Sequence, residues 1–157
     1  MEVDLVPMDK KQFSQFYEKS VRRYAQENIR AGYRTEADAE RKSREDHKKL
    51  LPKGVRTPDT FLMVVRSRST GEDIGAVWMR VERGTRPTAF IYDIFLEEPY
   101  RGKGYGKATL QALEALARQN GLKVLYLHVF AHNPVAINLY QGAGFKVKSM
   151  NMEKLLD

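Results

Sequence analysis

Near the N-terminus, Phe13, Phe16, Tyr17, Val21 and Tyr24 recur at three- and four-residue steps. That spacing predicts an amphipathic helix from residue 9 to about residue 29, with Gly32 beyond its end. A second helix is predicted over 35–51. Thr35 suits the N-cap, Glu36 and Asp38 the first turn, Lys48 and Lys49 the last, and Pro52 stops it, an order that complements the helix dipole. Its high charge predicts a mostly solvated helix.

The period then changes from helical to alternating. TFLMVVRS (60–67), DIGAVWMRVE (73–82) and TAFIYDIFL (88–96) read as strands joined by the short, turn-rich SRSTGE and RGTRP, which predicts antiparallel hairpins. Trp78, the one tryptophan, falls in the middle strand and is read as core. A helix from about Gly104 to Asn120 follows, with Leu110, Leu113, Leu116 and Ala117 on one face and Gly121 after it. LKVLYLHVF (122–130) reads as a strand, NPVAINLYQ (133–141) as a short helix closed by Gly142 and Gly144, and FKVKSMNMEKLL as one or two last strands. A strand, helix, strand unit in this position implies a parallel crossover inside an otherwise antiparallel sheet.

A chain of 157 residues with 42% hydrophobic content predicts one domain, spanning 1–157. It has no apolar run of bilayer length, and MEVDLVPMDKKQF carries acidic residues where a signal peptide needs a basic stretch, so a soluble cytoplasmic protein is expected. The absence of cysteine excludes thiolate metal sites and a cysteine acyl-enzyme. The net charge of +7 is unevenly placed: Lys and Arg exceed Asp and Glu by two in 1–52, by none in 53–100 and by five in 101–157. With no basic tail and no aromatic and basic repeat, this distribution suits a compact polyanion better than nucleic acid.

The excess begins at YRGKGYG, residues 100–106. A nucleotide-hydrolysing loop would need glycine where Arg101 stands and Ser or Thr where Ala108 stands, and a dinucleotide fingerprint would need glycine at 107 or 109, where Lys and Thr occur. What remains is a glycine-rich turn after a strand that opens a helix, so that bare N–H groups converge on one point. A plain strand-to-helix turn is the other reading.

A second segment bears on that choice. FLEEPYRGKGYGKATL, followed by LHVFAHNPVAINLYQGAGF, resembles the two signature segments of the GNAT superfamily of acyl-CoA-dependent N-acetyltransferases, and its wording is similar to the YycN-type members. The match is dense over 88–147 and elsewhere rests on element order.

The resemblance implies an α/β (α+β) fold. Its mixed, mostly antiparallel twisted sheet of six or seven strands would be flanked by about four helices, with a splayed parallel strand pair around the cofactor. It implies acetyl-CoA as co-substrate, an amine acceptor and no metal, and is compatible with a homodimer through a sheet edge. The pyrophosphate would fall to Arg101, Gly102, Lys103, Gly104, Tyr105, Gly106 and Lys107. The pantetheine arm would add to the backbone of Ile94, Phe95 and Leu96 like an extra strand. Asn133 would meet that arm, although its place before Pro134 also suits an N-cap. Tyr140, two helical turns on, would protonate the departing thiolate, or else it packs on Phe145.

The resemblance implies that His128 stands where some members of the family, such as the ribosomal-protein alanine acetyltransferases, hold a glutamate proposed as general base, so this chain departs from the pattern there. The histidine is a candidate base with a reference pKa of about 6.5, or a structural histidine. His132 and His47 are weaker candidates. Asp93 interrupts an apolar strand, so it needs a partner or an open cleft; it is a second candidate for collecting or deprotonating the amine, or else it makes a structural hydrogen bond to a neighbouring loop. Glu97 and Glu98 are read as solvated. Glu27, Tyr24 and Tyr33 are expected near the acceptor. Two functions stay open: direct transfer of an acetyl group to a primary amine in a ternary complex, and a domain that binds acyl-CoA as a sensor or scaffold without turnover.

Overall fold

The computed structural model describes residues 1–157. Five strands form one sheet in the order β1-β2-β3-β4-β5, with β1 Val3–Pro7, β2 Thr60–Ser67, β3 Asp73–Glu82, β4 Thr88–Leu96 and β5 Val124–Leu127. The first three pairings are antiparallel, and β4 runs parallel to β5. Four helices accompany them: α1 Lys10–Arg30, α2 Ala39–Leu50, α3 Tyr105–Gln119 and α4 Pro134–Gly142.

Alternation along the strands divides the core. Val65, Val77, Met79, Ala89 and Ile91 pack with Ala108, Leu113 and Ala117 of α3 on one face. Leu62, Val64 and Trp78 pack with Met8, Phe16 and Leu51 on the other, beneath α1. The start of α1 is fixed by a capping box: the Gln12 N–H donates to Asp9 Oδ1 at 2.7 Å and the Asp9 N–H to Gln12 Oε1 at 3.0 Å.

The three hairpin strands, the core position of Trp78 and the parallel crossover agree with the sequence reading. Four features differ. β1 was not anticipated, because five residues ending in proline give too short an alternation to read. The second helix starts at Ala39, not 35, since the Thr35 carbonyl is taken by the amides of Asp38 and Ala39 in a preceding turn. That helix is also less solvated than its charge suggested, with Ala39, Ser43 and His47 buried. Finally, the sheet has five strands and not six or seven, because residues 146–157 form none.

Candidate active site

β4 carries the site because its pairing is irregular. Trp78 lies opposite Asp93 while Met79 lies opposite Ile91, which leaves Tyr92 as an extra, bulged residue. Simple alternation would put Asp93 on the α3 face beside Ile91. The bulge turns both Tyr92 and Asp93 toward α1 instead, where Tyr92 stacks on Trp78 at 4.6 Å and Asp93 accepts from Arg23 Nη2 at 2.9 Å. After the bulge alternation resumes: Ile94 and Leu96 pack on the α3-side core, and the Phe95 ring lies 3.9 Å beneath the Arg23 guanidinium.

Pairing with β5 ends at Ile91–Leu127, so from Tyr92 to Leu96 β4 has β3 on one side and no strand on the other. The Glu97 N–H donates to the Ile74 carbonyl on β3 at 2.8 Å. Alternation therefore points the backbone groups of Leu96 and Ile94 away from β3, toward the open edge, and those of Phe95 toward β3. Of Ile94, Phe95 and Leu96, two thus turn their backbone groups to that edge. The Leu96 carbonyl on that edge accepts from Arg101 Nε at 2.8 Å, which folds Arg101 back across the strand end, 5.2 Å from the Phe95 ring.

Beyond a short helical turn at Glu98–Tyr100, the chain enters α3 through two left-handed glycines, Gly102 at φ 70° and Gly104 at φ 91°. The first α3 bond to a loop carbonyl is Ala108 N–H to Gly104 O at 3.1 Å. Six consecutive amides, Gly102 to Lys107, therefore donate to no backbone acceptor. Tyr105 is buried, its hydroxyl 3.3 Å from Ser67 Oγ, so its ring anchors the turn while its amide stays free. Gly106 serves packing, since a Cβ there would come within 3.0 Å of Leu139 on α4. Lys103 and Lys107 are exposed at the same turn.

Asp93 and Tyr140 lie in one electrostatic environment. Burial pushes the Asp93 carboxyl above its ordinary range, and Arg23, Ser20 and His47 only partly oppose it. Burial first, then the Asp93 charge, pushes the Tyr140 phenol up to about 12. Tyr140 also meets Phe145 edge to face at 5.9 Å, so the packing reading and the chemical one are compatible. Asn133 caps α4, its Oδ1 accepting from the Ala136 N–H at 3.2 Å, which leaves its side-chain NH₂ unused. His128 is exposed, with its ring edge-on to Phe130 at 4.8 Å. His132 stacks on Phe130 and bonds through Nε2 to Glu27, tying the end of α1 to the loop after β5, and Tyr33 borders Phe130 at 6.4 Å. Glu97 pairs loosely with Lys19 at 3.4 Å, and Glu98 is exposed.

Of the residues near Asp93, Arg23 escaped the sequence reading and His47 was only a weaker candidate in it. Arg23 was unremarked, yet Ser20, Arg23 and Glu27 recur at three- and four-residue steps beside the apolar stripe, a signal of a polar edge over the sheet. Buried Arg23 Nε has no acceptor in the chain. His47, a weaker candidate on a helix expected to be mostly solvated, is 3% exposed: its Nδ1–H donates to the Ser43 carbonyl at 2.8 Å, so Nε2 accepts from Ser20 Oγ at 2.9 Å. A groove of about 230 Å³ runs from Gln12 and Gln15 past Lys19 and Arg23 to Phe95. A larger hollow of about 340 Å³ lies by Arg22, Gln26 and Glu36, away from these groups.

Burial holds His47 below its ordinary range, with the Ser43 carbonyl and the Asp93 and Asp46 charges opposing. The unfolded chain thus binds this proton more tightly than the folded one. The stabilising contribution is complete above about pH 6.5 and is lost as pH falls through the depressed value. Asp93 has the opposite sign, losing its contribution as pH rises through its raised value. Between about pH 7.5 and about pH 5.5, urea unfolding should show a larger loss of stability for wild type than for His47→Gln. Equal losses would assign the acid sensitivity to another group.

The description "Acetyltransferase (GNAT) family" matches residues 18–145. The chain is 38% identical over 157 residues to "Uncharacterized N-acetyltransferase YycN" of Bacillus subtilis, covering 99% of this chain and 100% of that one. It is 34% identical to "Uncharacterized N-acetyltransferase YdgE" of the same organism, with 99% of each covered. The crystal structure of YycN superposes with a TM-score of 0.94 over 98% of each chain. The structure described as "Putative acetyl transferase from Pyrococcus furiosus" gives 0.70 at 25% identity, over 99% of this chain and 100% of that one. Matched over most of its length by the family description and end to end by these relatives, the chain belongs to the GNAT family of acetyltransferases.

Proposed function

We propose that this protein, as one domain over 1–157, transfers the acetyl group of acetyl-CoA to a primary amine by direct attack while both are bound. The observation that carries the proposal is the run of six unpartnered amides, Gly102 to Lys107, ending at the N-terminus of α3 beside the open β4 edge. Such a run suits a diphosphate, and Lys103 and Lys107 add charge to it. The Ile94 backbone and the Leu96 N–H, both turned to the open edge, suit an extended amide-bearing arm, with the Leu96 carbonyl already taken by Arg101, and the unused NH₂ of Asn133 suits a carbonyl on that arm.

Bound there, the cofactor supplies an activated acetyl thioester. The chain's own groups then manage charge and protons. Asp93 is the base this reading favours over His128, because it faces α1, its charge reaches Tyr140 and burial raises its affinity for a proton. The Leu96 N–H, turned to the open edge, is the chain's donor that would stabilise the oxygen on which charge collects. Tyr140 keeps its proton at neutral pH and would offer it to the leaving sulfur. Full transfer from a phenol near 12 to a thiolate of reference pKa about 8.5 would be uphill by about 5 kcal/mol. Tyr140 therefore donates a hydrogen bond as the C–S bond breaks and releases its proton only as another arrives from the attacking nitrogen.

Gly104 tests the loop directly. At φ 91° a β-branched residue is strained by roughly 1–2 kcal/mol, although a Cβ there would meet only Met1 Cγ at 3.7 Å. Gly104→Val should weaken acetyl-CoA binding at least about tenfold in calorimetry while preserving the fold. An unchanged dissociation constant would contradict the assignment. The function itself is tested by thiol release from acetyl-CoA across a panel of small amines, polyamines and peptides. Steady, amine-dependent release is expected. Tight cofactor binding with no release on any amine would favour the sensor.

A further inference from the structure

Two buried side chains, Ser20 on α1 and His47 on α2, take no part in the steps above. Their contacts fix the hydrogens between them. The His47 Nδ1–H donates to the Ser43 carbonyl at 2.8 Å, an acceptor with no hydrogen to give back. Burial keeps the imidazole neutral in the neutral pH range, so Nε2 is bare and takes the Ser20 hydroxyl hydrogen at 2.9 Å. The same hydroxyl lies near enough to the Asp93 carboxyl to act on it as a hydrogen-bond partner.

A serine hydroxyl has one hydrogen. Given to Asp93, it stabilises the carboxylate and lowers the proton affinity of that group. Given to His47, it leaves only lone pairs toward Asp93, which repel a carboxylate and accept from a carboxylic acid. The hydrogen bonds then run in one direction, from a protonated Asp93 to Ser20, to His47, to the Ser43 carbonyl. The surrounding groups leave that direction unchanged. Arg23 on α1 holds Asp93 at 2.9 Å and opposes a charge on His47, while Asp46 on α2 favours one. Tyr17 and Tyr24 on α1 and Trp78 on β3 meet the imidazole only through their rings, and Tyr140 on α4 feels the Asp93 charge. None of them donates to His47 Nε2.

We propose that Ser20 and His47 are positioning residues that set the proton affinity of Asp93 by deciding where one hydroxyl hydrogen points. The inference deepens the proposed acetyl transfer and rests on that reading for the part Asp93 plays in it. There, an ammonium group of the acceptor gives one N–H proton to an Asp93 oxygen, so ammonium and carboxylate become amine and carboxylic acid. The new O–H donates to Ser20, and neither Ser20 nor His47 changes its own proton count. Once acid protonates His47 the order reverses: Nε2–H donates to Ser20, the Ser20 hydrogen turns to Asp93, and the carboxylate is held charged.

The carboxyl carbon NMR signal of Asp93, assigned by its loss in Asp93→Asn, reads this titration without any substrate. His47→Met removes the acceptor with an apolar side chain of similar size and should move the Asp93 midpoint down by about one pH unit. In a Ser20→Ala background the same substitution should move it by less than about a third of that. No shift in the wild-type background would overturn the proposal, and so would equal shifts in both, which would assign the effect to burial alone. The imidazole nitrogen shifts of His47 in the unaltered protein give a check that depends on no variant. Nδ1 protonated and Nε2 bare is expected at about pH 7.5, and the opposite tautomer or an imidazolium would contradict the proposal. The acid limb of kcat/KM, measured alongside, separates this inference from the reading it rests on. A limb that follows the carboxyl midpoint supports both, whereas a midpoint that moves while the limb stays fixed supports the inference and counts against Asp93 as the base.

Discussion

Replacing Tyr140 with phenylalanine is expected to lower kcat about 10²- to 10⁴-fold, the range for a positioned acid, while leaving acetyl-CoA affinity and Tm nearly unchanged. The reasons are local. No hydrogen bond within the chain contributes to the state of the Tyr140 hydroxyl, so the fold does not depend on it, whereas its ring meets Phe145 and phenylalanine keeps that contact. A phenol near 12 stays protonated across the neutral range, so the loss should be flat from about pH 6 to about pH 9. Steady-state kinetics with a saturating amine, alongside calorimetric cofactor binding, checks both halves. Unchanged turnover would leave Tyr140 as a packing residue.

Gly75→Ala should have the largest effect on the scaffold. Gly75 lies on β3 opposite Leu96, and a Cβ there would be driven into the Phe95 carbonyl oxygen and to 3.1 Å from Leu96 Cα. Both atoms are backbone, so no side-chain rotation relieves the clash and β4 itself must move. Overpacking of this kind costs about 3 kcal/mol, or about 10 °C in Tm for a domain of this size. The displaced segment carries the Leu96 N–H, so acetyl transfer should fall even at temperatures where the variant is folded. Gly84→Ala, at a position with nothing within 4 Å of the new Cβ, is the control and should melt like wild type. Equal melting of the two variants would mean that β3 and β4 tolerate separation here.

The local chemistry of the candidate site was legible in the sequence, and its arrangement was not. The glycines at 102 and 104, the short helix after Asn133 and the polar break at Asp93 are signals carried by a few consecutive residues, and each sits in the element it predicted. The bulge at Tyr92 is set by the register of β4 against β3, which no single strand encodes, yet it decides which way Asp93 points. His47 sits on a helix expected to be mostly solvated because its neighbours are charged. Its burial comes from α1 packing over it, with Tyr17 and Tyr24 edge-on to its ring at 5.7 and 6.1 Å. β1 was too short to read, and the strand pattern after Phe145 was readable but has no partner within the chain.

Amide chemical shifts during titration with coenzyme A test the central claim most directly, because they read the backbone donors one by one. Saturable shifts are predicted for the amides of Gly102 to Lys107 and for those of Ile94 and Leu96, with the Phe95 amide, turned toward β3, nearly still. Saturation with the loop amides unmoved, or shifts confined to the lysine-rich tail, would contradict the account.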